Sequence, residues 1–107
     1  SAELLEASRW VAVNCTQPAR ISGLYPRKGA LIVGADADVV VWNPHCDGVI
    51  SAQTHHMQVD YSVFEGMAHR GAPERVYLRG KLIVAGDQWL GEAGQGMYLA
   101  RQCAAWL

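Results

Sequence analysis

Apolar positions follow one rhythm before Tyr25 and another after it. In the first part Leu4, Leu5, Ala7, Val11 and Ala12 recur near a 3.6-residue period, which predicts a helix over 2–14. Glu3 and Glu6 fall early in it, where the helix dipole favours acids, and Ser1 offers a hydroxyl for a cap. A second, shorter helix is predicted from Pro18 to Leu24. Thr16 suits its cap, Pro18 its first turn, where a missing N–H costs nothing, and Gly23 its end.

After Tyr25 breakers come every few residues, with β-branched runs between them. Gly29 and Gly34 bracket the apolar run 30–33 (ALIV), and a second run, 39–42 (VVVW), ends at Asn43-Pro44. Continuous runs of this kind suit strands covered on both faces. Residues 75–86 read as a hairpin: Val76 and Leu78 alternate with Tyr77 and Arg79, the turn falls near Arg79-Gly80, and 82–84 return. The glycine-rich 91–96 is expected to be a flexible loop before a helical tail over 97–107. The fold class is α+β, two N-terminal helices followed by four to six short strands, with no internal repeat and no dividing linker. A small open sheet leaves unpaired edges, and Trp42, Trp89 and Trp106 need something to pack against. The pattern therefore predicts a partner surface.

Composition narrows the function classes without naming one. At 107 residues there is room for one domain with a modest core. Half the residues are apolar, 18% are charged and the net charge is −1, which argues against disorder and against a nucleic-acid or acidic-lipid partner. No apolar run approaches the roughly 20 residues of a membrane span, and no basic-then-apolar leader opens the chain. Cys15, Cys46 and Cys103 are odd in number and lack CxxC spacing, so reduced, mostly buried thiols in a cytoplasmic protein are expected. Ser1 leads almost directly into helical pattern, so the chain is expected to be a segment of a longer protein.

Candidate chemistry concentrates in 51–67. His45, Cys46, His55, His56 and His69 are possible zinc ligands, but neither structural-zinc nor HExxH spacing is present. Adjacent histidines in an extended segment face opposite ways, so His55 and His56 do not readily share an ion; buried, hydrogen-bonded imidazoles are the competing reading. Ser51 or Ser62 with His56 and Asp60 would make a triad on paper, without the GxSxG elbow. The loop GEAGQG is not the dinucleotide fingerprint. Asp36 and Asp38 could meet a cation, yet no EF-hand spacing follows, and turn aspartates bonding nearby backbone N–H groups fit better. Tyr61 and Glu65 could act as acid and base, but no nucleophile converges on them. Residue chemistry alone identifies no self-sufficient active site.

The order of motifs is more specific. Residues 14–44 (NCTQPARISGLYPRKGALIVGADADVVVWNP) resemble the carboxyl-terminal region of the amidohydrolase superfamily, with its N-P-A helix, K-G-x-I-x-x-G turn and G-x-D-A-D strand. Residues 51–67 (SAQTHHMQVDYSVFEGM) resemble the S-A-x-T-H-H-x-x-V-D-Y-x-x-F-E-G-M stretch of D-hydantoinases and dihydropyrimidinases. The likeness continues through 75–101, which match that group's hairpin and its G-x-G-x-[FY]-x-x-R tail. Two departures are visible: Gln17 gives Q-P-A instead of N-P-A, and Cys46-Asp47-Gly48 replaces a more charged connection.

The resemblance implies a cyclic amidohydrolase that opens hydantoin or dihydropyrimidine rings to N-carbamoyl amino acids. It implies a (β/α)₈ barrel with two divalent metals, usually zinc, on ligands that would all precede Ser1. It therefore places no catalytic, cofactor-binding or metal residue in this chain. Thr54, His55, His56, Asp60, Tyr61, Phe64, Glu65, Gly66, Asp36 and Asp38 are then structural family-motif residues. Residues 1–24 would pack on the barrel, 25–90 would form part of a β-sandwich, and 91–107 would be a tail able to contact another subunit. The implied partners are the remainder of the same enzyme and further copies, commonly in a tetramer. Allantoinases and dihydroorotases share the broader motifs. A non-catalytic homologue or a self-associating module is the alternative, though the double histidine speaks for the catalytic branch.

Overall fold

A computed structural model of the chain describes residues 5–103. They fall into two compact units, one running to Asp38 and resuming at Ala93, the other spanning Val39–Glu92.

In the first unit the two predicted helices are one helical run. It begins as α1 (Ala7–Val11), passes through a π turn (Ala12–Thr16) and ends as α2 (Gln17–Ile21). Pro18 explains the π turn: it lacks an N–H, and its ring would crowd the carbonyl four residues back in a regular helix. The chain widens just before it, and the Gln17 N–H reaches back five residues to the Ala12 carbonyl. Thr16 is consequently helical (φ −68°, ψ −50°) and does not cap; its hydroxyl donates to the Gly29 carbonyl at 2.9 Å. Glu6, in extended conformation, is the residue preceding the first helical turn, so the helix begins later than predicted. The expected cap at Ser1 lies outside the described residues. The end is as expected, with Gly23 at φ +73° and the Leu24 N–H bonded to the Ala19 carbonyl at 2.8 Å.

The second unit is a four-stranded antiparallel sheet in the order β1 (Val39–Val49), β2 (Ala68–Leu78), β3 (Lys81–Ala85), β4 (Gln88–Trp89). Its hairpin is the predicted one. Arg79 and Gly80 both have positive φ (47° and 81°), the requirement of a two-residue turn whose twist matches the strands, and Leu78 pairs with Lys81. β1 runs past Asn43-Pro44 instead of ending there. Asn43 pairs with Ala72 and Asp47 with Arg70, so 44–46 bulge out opposite Gly71, and the proline sits where no ladder bond is asked of it.

Two further sequence expectations are corrected. The run 30–33 is not a strand: its backbone closes in a turn, the Ala35 N–H bonding the Ile32 carbonyl at 3.1 Å, with Gly29 and Gly34 at φ +82° and +95°. Residues 97–103 of the tail are not helical, and the rest of the tail lies outside the described residues. In place of a helix, the Gln102 N–H bonds the Gly23 carbonyl at 3.0 Å.

The core is smaller than the length allows. Among the described residues Ala19 is the one buried apolar residue, at 7% exposure. Trp42 and Trp89 are both exposed. The chain leaves 8759 Å² accessible, against roughly 5,900 Å² for a folded monomer of its mass. Each unit supplies one layer of structure, and one layer cannot cover its own apolar face.

Candidate functional site

Two loops hold the residues that sequence singled out. The longer, 50–67, leaves β1 and returns at β2, and its base is closed by backbone. The Ile50 N–H donates to the Met67 carbonyl at 2.9 Å and the Gly66 N–H to the Ile50 carbonyl at 2.8 Å. Gly66 makes this return at φ +83°. Glu65 latches the entry: its carboxylate accepts from the Ser51 hydroxyl at 2.9 Å and from the Ala52 N–H at 2.7 Å. Ser51 in turn accepts from the Gln53 N–H through its hydroxyl, and its carbonyl accepts from the Thr54 hydroxyl and from the N–H groups of Thr54 and His55. The first two residues of that turn are thereby tied to one carboxylate, and its far end to the Ser51 carbonyl.

The histidines separate. His55 is half-buried, with Nε2 3.0 Å from the Val59 carbonyl, which requires Nε2 to carry the proton. Its Nδ1 is buried without a partner among the described residues. His56 is exposed, as are Asp60, Tyr61, Phe64 and Glu65. The paper triad does not form. The Ser51 hydroxyl is committed to Glu65, and that of Ser62 accepts from the Phe64 N–H at 3.2 Å. His69, on β2, is bonded through Nδ1 to the Gly71 carbonyl, while His45 and Cys46 lie exposed on the β1 bulge. Among the described residues no three His, Cys, Asp or Glu side chains form a metal-holding group. The described residues thus offer no donor set that fits a metal centre.

The shorter loop, 27–38, is closed by charge. Lys28 Nζ lies 2.9 Å from Asp36 Oδ2 and is also bonded to Asp38, and Arg27 Nε lies 3.1 Å from Asp36 Oδ2. The Asp36 N–H donates to the Arg27 carbonyl at 3.0 Å. The aspartates thus meet cations, where backbone N–H groups were expected, though they do lead into β1. The Lys28 hydrogen bond holds the Asp36 carboxyl below the ordinary aspartate range against the opposing pull of desolvation, with Arg27 assisting. For Lys28 desolvation is the largest single influence and lowers its value. The hydrogen bonds and charges of Asp38 and Asp36 together outweigh it, so the ammonium is held above its ordinary value.

Sequence reasoning missed Lys28 and the pairing of Ser51 with Glu65. For Lys28 a signal existed, since a basic pair and an acidic pair flank the same glycine-bracketed run. For Ser51 and Glu65, fourteen residues apart with no period joining them, none did. The three cysteines, expected to be mostly buried, are free and exposed. Among the described residues no helix is long and apolar enough to cross a membrane.

The family model for "Amidohydrolase family" matches residues 1–83. The chain belongs to the amidohydrolase family. Within it the likeness to particular members extends over most of the chain. A D-hydantoinase of Streptomyces coelicolor is 48% identical over 99 residues, 92% of this chain and 21% of the relative. A dihydropyrimidinase of Rattus norvegicus is 41% identical over 98 residues, 92% of this chain and 19% of the relative. Among solved structures, a dihydropyrimidinase from Brevibacillus agri superposes with a TM-score of 0.90 at 40% identity, covering 94% of this chain and 22% of that one. An L-hydantoinase from Arthrobacter aurescens superposes with a TM-score of 0.86 at 36% identity, covering 91% and 22%. The chain therefore spans about a fifth of the length of the relatives it matches.

Proposed function

We propose that this amidohydrolase-family chain is the carboxyl-terminal portion of a cyclic amidohydrolase that hydrolyses the ring amide of hydantoins or dihydropyrimidines, giving N-carbamoyl amino acids. One observation carries the reading: 48% identity to a D-hydantoinase through 92% of this chain, within 21% of that enzyme. The relatives bear the names of enzymes, so the reading as a non-catalytic homologue is not favoured. D-hydantoinase, L-hydantoinase and dihydropyrimidinase all match this segment, which fits a ring and a stereochemical preference chosen by residues elsewhere.

The catalytic group of this reading is a pair of divalent metals, zinc by preference, on a (β/α)₈ barrel formed by the rest of the enzyme. In this reading no step of that chemistry falls to this chain, in keeping with the lack of a metal-holding group among its described residues. Their task is architectural. Residues 1–24 pack on the barrel, 25–90 complete a β-sandwich with strands from the remainder of the enzyme, and 91–107 reach a neighbouring copy in a tetramer. Thr54, His55, His56, Asp60, Tyr61, Phe64, Glu65 and Gly66 shape the loop at the junction, and Asp36 and Asp38 fix the turn into β1. The thin core and the large accessible surface support this assignment. Three free thiols suit a reducing cytoplasm.

The test is an assay of the full polypeptide, loaded with zinc, on hydantoin and on dihydrouracil, with the 107-residue chain alone in parallel. Ring opening by the full polypeptide and none by the chain is expected. An inert full polypeptide, or turnover by the isolated chain above a metal-free blank, would remove the proposal.

A further inference from the structure

We infer that residues 31–33 are a docking knob that seats in an apolar pocket on the remaining polypeptide of the same enzyme, an inference that rests on the functional reading above. Leu31, Ile32 and Val33 are 76%, 56% and 105% exposed, three consecutive large apolar side chains at the tip of the 27–38 loop. Exposed apolar residues are frequent on this chain. What distinguishes the tip is the rigidity of the neck that carries it.

That neck is fixed at both ends. On the outgoing side the Thr16 hydroxyl holds the Gly29 carbonyl at 2.9 Å. Gly29 itself is pressed so closely on the helical run that a Cβ there would lie 2.6 Å from the Ala19 Cβ and 2.8 Å from the Cys15 carbonyl oxygen. On the returning side Asp36 is tied to Arg27 and Lys28, and Asp38 to Lys28. The Ala35 N–H bonded to the Ile32 carbonyl sets the turn between them. A loop ordered before it docks gives up little conformational freedom on docking, which is the advantage of preorganisation. A solvated loop tip gains nothing from holding three apolar side chains in water.

Charge and length select the occupant. A lipid surface would be met by free cations beside the apolar tip, but Arg27 and Lys28 are already paired with Asp36 and Asp38, so the rim is neutral. The pocket should accordingly be apolar, with an uncharged or evenly charged rim. This chain is about a fifth of the length of its relatives, and its accessible surface far exceeds that of a self-contained domain. The missing surface is then covalently attached, at high effective concentration, and an intramolecular pocket fills before any second copy can compete.

Hydroxyl-radical footprinting of the wild-type full polypeptide tests this without any substitution. Oxidation at Leu31, Ile32 and Val33 is read by peptide mass spectrometry in native and urea-unfolded samples, and turnover of hydantoin and of dihydrouracil is measured on the same native sample. Docking predicts oxidation about fivefold or more slower in the native state, unchanged when the protein is diluted until its oligomers dissociate. Native rates equal to unfolded rates in a sample that hydrolyses hydantoin would overturn the knob while leaving the functional reading intact. Protection that disappears on dilution would assign the pocket to a second copy and overturn it as well. Protection in a sample inert towards both rings would instead sink the functional reading and leave the docked tip standing. In Val33→Asp, oxidation of Leu31 and Ile32 should rise towards the unfolded rate; an unchanged rate would also count against the knob.

Discussion

The 27–38 and 50–67 loops solve the same problem with different chemistry. Each leaves apolar side chains exposed beyond a polar neck: Leu31, Ile32 and Val33 in one, Met57, Tyr61, Val63 and Phe64 in the other. The short loop is held by opposite charges, Arg27 and Lys28 against Asp36 and Asp38. The long loop is held by one carboxylate, Glu65, accepting from a neutral hydroxyl and a backbone N–H, with the backbone pairing of Ile50 and Met67 beneath. Charge pairing tolerates small shifts in position but responds to salt and pH. The carboxylate latch depends on direction, and a change of one side chain disconnects the turn it organises.

The comparison can be broken most forcefully at Gly29. Adding a methyl group there meets Ala19 and the Cys15 carbonyl at a backbone angle, φ +82°, that L residues avoid. Gly29→Ala should therefore destabilise the full polypeptide by about 2–4 kcal/mol in urea unfolding. An effect no larger than that of a surface substitution would mean that the neck is not packed as described. Glu65→Ala comes next: the Ser51 hydroxyl and the Ala52 N–H lose their acceptor, at about 1–3 kcal/mol. Glu65→Gln should recover part of this, because an amide oxygen can still accept from one donor. Equal losses in the two variants would show that the negative charge, and not the geometry, holds the loop.

Lys28→Met should cost less, about 1 kcal/mol, because half-buried ion pairs remain partly screened by solvent. The smallest effect distinguishes the loops by pH. Asp36 is held below its ordinary value near 3.8, so its contribution is present above that value and is lost as pH falls through the lowered one. Lys28 is held above its ordinary value near 10.5, so its contribution is present below that value and is lost as pH rises through the raised one. The difference in stability between wild type and Lys28→Met should be flat between these limits and shrink outside both. A difference that changes near neutral pH would contradict the ion lock.

How much of this could be read beforehand follows from how far each feature reaches along the chain. The hairpin was legible because alternation and the Arg79-Gly80 turn lie within twelve residues. The helix end at Gly23 was legible for the same reason. The run 30–33 was misread because an apolar run becomes a strand only beside another strand, and its neighbours in space were set by Lys28 and the aspartates. The merging of the two helices escaped because Pro18 suits a first turn as well as it suits a π turn. In 51–67 the residue pattern identified the family, yet the pairing of Ser51 with Glu65 and the inward turn of His55 required the closed loop. The exposure of the cysteines could not be foreseen from composition, since burial depends on what packs over each thiol in the fold.

The account turns on the claim that the histidine-rich stretch marks the family without performing its chemistry. Metal content of the full polypeptide, measured per chain in the wild type and in the His55→Ala, His56→Ala double variant, tests this most directly. The account predicts the same number of metal equivalents in both, with a lower melting temperature in the variant. Loss of a metal equivalent at an unchanged melting temperature would contradict it.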